Sequence, residues 1–455
     1  MKNIVLAAAA AALISTPVWA QPPSSQTERL REAALKDDIA WEITEGLTTE
    51  IGPRLAGTEA EARARDWAVR KLKALGFANV RVETFDMPVW VRGEERAEIV
   101  APFPQKLVLT ALGNSGATPA AGLTAQVIGF DDMAALEAAR DADVRGKIVF
   151  VSHAMRATQD GSGYGFFGAA RRSGPSMASR KGAAAIVIRS IGTDYHRNPH
   201  TGVQSWAEGA APIPAAALSL PDAEQLQRIL KRGKPVTMRL LLTPRQTGTH
   251  QSGNVIAEVP GRDAKAGIVL VGGHLDSWDL GTGALDDATG VAITTAAAKR
   301  VMAAGRPRRT IRIVWFGAEE VGLFGGLDYL AKHGSEKHAM IAESDFGADR
   351  IWKFDSKAPA SARPAIDRIA AALAPLGIAQ GATDRAGGSD IGPLSQSGVS
   401  TIQLNQDGTR YFDYHHTPDD TLDKVDPEQL RQNVAAWTAM LAEAANAPEE
   451  LAMPK

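Results

Sequence analysis

From Asn254 to the C-terminus, apolar residues fall into short continuous runs that alternate with stretches of helical period. NVIAEVPG (254–261) and GIVLVGGH (267–274) read as strands. DDATGVAITTAAAKRVM (286–302) reads as a helix stopped by Gly305 and Pro307. IRIVWFGAEE (311–320) reads as a strand running into a second helix, VGLFGGLDYLAKHG (321–334). AMIAESD (339–345) is a weaker strand, followed by a helix around SARPAIDRIAAALAPLG (361–377), the strand VSTIQL (399–404) and a closing helix, PEQLRQNVAAWTAMLAEAAN (427–446). Uninterrupted apolar strands have no polar face to leave in water. Their alternation with helices therefore predicts an α/β fold: a mixed, mostly parallel sheet covered by helices on both faces.

The N-terminal half is patterned differently. Residues 28–76 carry helical period on either side of a turn at IGPRLAGT (51–58), and NVRVETFDMPVWV (79–91) reads as strand. From about Arg92 to about Thr247, short runs such as KIVFVS (147–152) and AAAIVIRS (183–190) sit among long Gly/Ser/Pro-rich loops. This predicts an inserted β-rich domain over 93–246, within a main domain built from 21–92 and 247–455.

The first twenty residues change the cellular setting. Lys2, an apolar stretch from Ile4 to Ile14, and Val18 and Ala20 flanking Trp19 have the layout of a signal peptide cleaved after Ala20. That apolar stretch is too short to span a bilayer. The expected product is exported, periplasmic or secreted, with no membrane anchor. The 455 residues include no cysteine, which excludes disulfides and a thiol nucleophile; any metal must be held by His, Asp or Glu. With 50 basic and 52 acidic residues, the chain gives no sign of a nucleic-acid partner.

Parallel sheets carry their sites at the carboxyl ends of strands. His274 follows strand 268–271, Glu319 and Glu320 follow 311–316, Asp345 follows 340–344, and His415 and His416 lie beyond 399–404. Asp286 and Asp287 open the helix after His274. Taken singly, most have a structural explanation: an N-cap for Asp286 or Asp287, first-turn acids favoured by the helix dipole for Glu319 and Glu320, and a loop with a structural histidine for HHTPDD. Together they converge on one sheet edge. Glycines in GGHLDSWDLGTG (272–283) let the loop turn tightly. A phosphate would be repelled by this many aspartates, so the edge reads as a cation site. His and carboxylate ligands suit a pair of zinc ions, and adjacent glutamates point in different directions, so one can bind metal while the other acts as general base.

GGHLDS, the DDATG helix start, the Glu pair of FGAEEVGLFGG, the Asp of ESDFG and the late HTPDDT resemble the co-catalytic zinc aminopeptidases, and most closely their carboxypeptidase Q group of secreted dipeptidases. The resemblance covers 254–425 closely. It implies two zinc ions per chain, with Asp286 bridging, His274 and Asp345 on different ions, Glu320 and His416 completing the two sets, and Glu319 as general base. It favours His416 over His415 because HTPDDT starts there, and Asp286 over Asp287 because the first Asp before A-T-G matches the bridging position. It further implies a peptide substrate, a homodimer, and a protease-associated-like character for 93–246 that shapes access to the site and carries no chemistry. GSGYGFFGAARRSG (161–174) lacks the lysine of a nucleotide loop.

Asp276, two residues from His274, is a candidate to orient its imidazole. In GGSDIGPLSQSG (387–398), Ser389 and Asp390 are candidates for substrate contacts or, equally, parts of a glycine turn with an N-cap. Two other functions fit the same scaffold: a glutaminyl-cyclase-like transferase with a single zinc, and a non-catalytic binding protein.

Overall fold

A computed structural model describes residues 25–454. The expected signal peptide at 1–20 lies outside the described residues. No helix among the described residues is long and apolar enough to cross a membrane.

Two eight-stranded sheets organise the chain. Across the first, the order is Ala78–Val91, Arg245–Val259, Thr310–Phe316, Ile268–His274, His338–Glu343, Thr401–Gln406, Ile351–Lys357 and Ala379–Gln380. The four central strands, Thr310–Phe316 to Thr401–Gln406, are mutually parallel, and antiparallel pairings flank them on both sides. This is the mixed α/β sheet that the apolar runs predict. Two elements lie outside the expected set, the strands Ile351–Lys357 and Ala379–Gln380. The first, IWKFDSK, is only partly apolar because it sits outside the central four and keeps Trp352 and Lys353 half-exposed.

Alternate side chains of the central strands enter separate cores. Val269 and Val271 join a large cluster with the helices Thr289–Ala303 and Pro427–Asn446, whereas Leu270 and Ile341 pack with Tyr329 of the helix Phe324–His333 on the other face. Burying both faces leaves the strand ends as the place where polar side chains can gather.

The second sheet is built between Glu95 and Leu242. The chain leaves the first sheet at Val91 and returns at Arg245, and these two residues are paired neighbours in one antiparallel ribbon. Arg92, at the base of the ribbon, holds the Asp279 carboxylate with Nε and Nη2 at 2.8 and 2.9 Å, which ties the second sheet to the loop after His274. A bidentate guanidinium–carboxylate pair fixes orientation as well as distance.

Candidate active site

His274 is the last residue of its strand and is fully buried. Its backbone N–H donates to Asp287 Oδ2 at 3.0 Å, and Asp287 Oδ1 accepts from Gly290 N at 2.9 Å. Asp287 thus does the capping that an aspartate at a helix start is suited to do. Gly290 is required there, because a Cβ would lie 2.1 Å from Asp287 Oδ1 and 2.0 Å from the Ser344 carbonyl. Neither aspartate is in the helix itself: both have non-helical backbone in the turn Ala284–Ala288, and the regular helix starts at Thr289. That placement leaves the Asp286 side chain free to face the cavity.

Asp286 turns one oxygen to each of two groups. Its Oδ1 lies 2.9 Å from His274 Nε2, which is also 3.4 Å from Asp345 Oδ1. Its Oδ2 lies 3.2 Å from His416 Nε2, which is 2.9 Å from Glu320 Oε2. His274 and Asp345, which the resemblance assigns to different ions, face each other here. The reason is topological, since their strands are adjacent and parallel and deliver both residues to the same point of the sheet edge. His415 Nε2 stands 3.4 Å from Asp286 Oδ2, and its ring stacks on that of His416 at 3.5 Å between centroids.

These groups fit divalent cations. Asp286 Oδ2 and Glu320 Oε1 are buried without a hydrogen-bond partner, although imidazole nitrogen lies close to Asp286 Oδ2. Three trios of donor atoms, which share His274 and Asp286 among them, each lie within 4.8 Å. A buried carboxylate oxygen with no donor is costly unless a cation faces it. Nitrogen and oxygen donors in this number suit zinc.

Glu319 and Glu320 were expected at the head of a helix. They lie instead in a tight turn, with the helix delayed to Phe324 by left-handed backbone at Ala318 and Leu323. The Asp276 carboxylate holds this turn by accepting the N–H of Glu319 at 3.1 Å and of Glu320 at 3.3 Å. Asp276 orients His274 through its backbone carbonyl, 2.9 Å from Nδ1, rather than through its side chain. Burial, joined by the charges of Asp345 and Glu320 against the opposing pull of His274, raises the Glu319 carboxyl well above its ordinary range. Burial and the Asp286 charge push Glu320 up to about 7. Such shifts are those of a carboxylate cluster whose charges repel one another.

Ser389 donates to Asp345 Oδ2 at 2.9 Å and lines the cavity. Asp390 does not: it is buried beneath, with its N–H on Glu343 Oε1 at 3.1 Å and both carboxylate oxygens unpartnered.

Several contributors escaped sequence reasoning. Arg54, with no exposed surface, donates to the carbonyls of Thr282 and Gly283 at 2.6 and 2.9 Å and also to that of Leu275, so it shapes the loop between His274 and Asp286. Its signal was a charged residue inside the apolar turn IGPRLAGT. Asp420 accepts the N–H of Leu285 at 2.6 Å and of Asp286 at 3.2 Å. The second-sheet segment was expected to carry no chemistry, yet Thr201 places its carbonyl 3.2 Å from His416 Nδ1, and Tyr164 and Arg171 line the cavity. No local pattern marks Thr201, because a backbone carbonyl has no sequence signature.

Comparison with known proteins agrees with this arrangement. The sequence pattern of peptidase family M28 matches residues 254–441. Carboxypeptidase Q of Bos taurus is 34% identical over 401 residues, covering 87% of this chain and 82% of the relative. The crystal structure of a peptidase M28 precursor from Shewanella amazonensis has a TM-score of 0.92 at 47% identity, covering 94% of this chain and 98% of the other. The zinc aminopeptidase BSAP of Bacillus subtilis shares the fold, with a TM-score of 0.64 at 22% identity over 91% of this chain and 97% of the other. Site geometry, family pattern and near full-length similarity lead to one conclusion: the chain belongs to peptidase family M28.

Proposed function

We propose that the protein is an exported di-zinc exopeptidase that hydrolyses dipeptides or short peptides with free termini. The observation that carries this reading is Asp286, whose two oxygens face two different histidine–carboxylate pairs. In this reading His274, Asp345 and Asp286 hold one zinc, and His416, Glu320 and Asp286 hold the other. Zinc held there supplies Lewis acidity, which makes water a nucleophile at neutral pH and draws charge from a carbonyl. Glu319 takes the proton of the attacking water and passes it to the leaving amine, a task helped by a carboxyl that burial makes a better proton acceptor than an ordinary glutamate. The carbonyls of Asp276 and Thr201 accept the Nδ1 protons of His274 and His416, which keeps both Nε2 atoms available as ligands.

Residues 21–92 and 247–455 form the peptidase domain in this reading, and 93–246 an inserted protease-associated-like module. Residues 1–20 direct export to the periplasm or beyond, and the chain forms a homodimer. The curated relatives named carboxypeptidase Q and the Bacillus subtilis aminopeptidase YwaD, 26% identical over 438 residues, support exopeptidase chemistry.

The test is hydrolysis of a panel of unblocked dipeptides by the purified protein, before and after chelation and zinc restoration, with metal content measured in parallel. Cleavage lost with chelator and regained at two zinc ions per chain is the expected result. Saturation at one zinc without cleavage would favour the cyclase-like alternative.

A further inference from the structure

The same cavity is lined by two consecutive arginines, Arg171 and Arg172, that have no carboxylate partner among the described residues. Arg171 and Arg172 line a space of about 470 Å³ together with Glu319, Asp286 and Asp345. Arg171 is only 5% exposed, its guanidinium lies 3.4 Å from His416 Nδ1, and its Nε is buried without a hydrogen-bond partner. Arg172 folds back over its own turn and donates to the Gly165 carbonyl, which is possible because a Cβ at Gly168 would meet its Nη1 at 2.4 Å. Among the described residues, neither guanidinium is paired with a carboxylate; Arg171 donates to the Thr201 carbonyl and Arg172 to that of Gly165. Partial desolvation and the charge of Arg171 hold Arg172 below the usual arginine value against the opposing pull of Tyr164, and no carboxylate is among the groups that act on it.

A metal-binding cavity of this kind attracts cations to its acidic side. Once cations offset Asp286, Asp345, Glu319 and Glu320, the two guanidiniums remain as excess positive charge. Their planar donor pattern matches a carboxylate. In a peptide, one carboxylate is always present at a set distance from a cleavable bond: the α-carboxylate of the C-terminal residue, one residue beyond the last peptide link. We propose that Arg171 and Arg172 bind the substrate's C-terminal α-carboxylate, so that the bond cleaved is the last one in the peptide. A longer chain on that side would place a neutral amide against two unpaired cations, which costs the charge-assisted bonds and excludes endopeptidase activity. The inference rests on the peptidase reading and deepens it by deciding which end of the substrate is recognised.

The experiment compares L-alanyl-L-leucine with L-alanyl-L-leucinamide on the zinc-loaded full chain, using wild type, Arg172→Met and Arg172→Lys. Arg172 is exposed, so these variants are expected to keep the fold. Binding of both compounds to zinc-loaded Glu319→Gln is measured by calorimetry as a readout without turnover. The expected result is a preference for the free acid of roughly 10- to 100-fold, expressed in KM and in the calorimetric Kd. That preference is lost in Arg172→Met through weaker use of the acid alone, and partly restored in Arg172→Lys. Equal binding of acid and amide by Glu319→Gln would overturn the carboxylate site while leaving the peptidase reading intact. A clear preference in binding, with neither compound cleaved by wild type, would uphold the carboxylate site and sink the peptidase reading.

Discussion

Asp287 accepts the backbone N–H of His274 at 3.0 Å, so the residue next to Asp286 fastens the strand end from which His274 projects toward Asp286 and Asp345. Its other oxygen takes Gly290 N. Asp287→Ala therefore leaves two buried donors unmet and should cost about 2 to 5 kcal/mol in urea unfolding. Asp286→Ala removes no acceptor of a backbone N–H; its effect should be read in lost zinc. Equal loss of stability in the two variants would contradict this division of labour.

Glu319 faces the cavity, while its backbone is held by Asp276. Glu319→Gln keeps shape and backbone anchoring but removes the carboxylate proposed as the base. Turnover should fall by about 10²- to 10⁴-fold with zinc content unchanged. Wild-type turnover in this variant, measured beside metal analysis, would remove Glu319 from the mechanism.

Protons and zinc compete for the same oxygens. Burial, with the Asp286 charge next, raises Glu320 from 4.5 to about 7, and the same causes raise Asp420 from 3.8 to about 7. The metal-free folded protein therefore binds more protons than the unfolded chain above these ordinary values. This contribution to stability is complete at low pH and is lost as pH rises through about 7. Zinc offsets the charge that then develops. The gap in melting temperature between zinc-loaded and chelated protein should widen from pH 5 to pH 8; a gap independent of pH would refute the linkage.

Arg54 spends its guanidinium on the carbonyls of Leu275, Thr282 and Gly283 with no exposed surface. Arg54→Met fills much of the volume but leaves these acceptors without donors. A loss of about 3 kcal/mol is expected from urea unfolding, together with weaker zinc retention as the loop before Asp286 loosens.

The alternation of apolar strands and helices after Asn254 was sufficient to define the mixed, mostly parallel sheet with both faces covered, because a strand buried on both sides must be apolar throughout. It also sent His274, Asp345 and the Glu319–Glu320 pair to one sheet edge, since the carboxyl end of a parallel strand follows from chain direction alone. Which of these groups face each other was a different matter. His274 meets Asp345 because their strands are neighbours, and neighbour order in a sheet is set by long-range packing that no local window contains. The assignment of Asp287 to main-chain hydrogen bonds and Asp286 to the cavity depends on one turn of backbone, and both are the same residue type. Thr201, Arg171 and Tyr164 reach the site from loops and short helices between strands of the second sheet, more than 200 positions before His416, through a carbonyl, a guanidinium without a carboxylate partner and a ring that carry no motif. The sequence by itself determined the elements and the chemistry available at their ends, because these depend on side-chain type and local period. Only the tertiary structure decided which donors face one another and which charges stay unpaired, because those depend on distances between residues far apart in the chain.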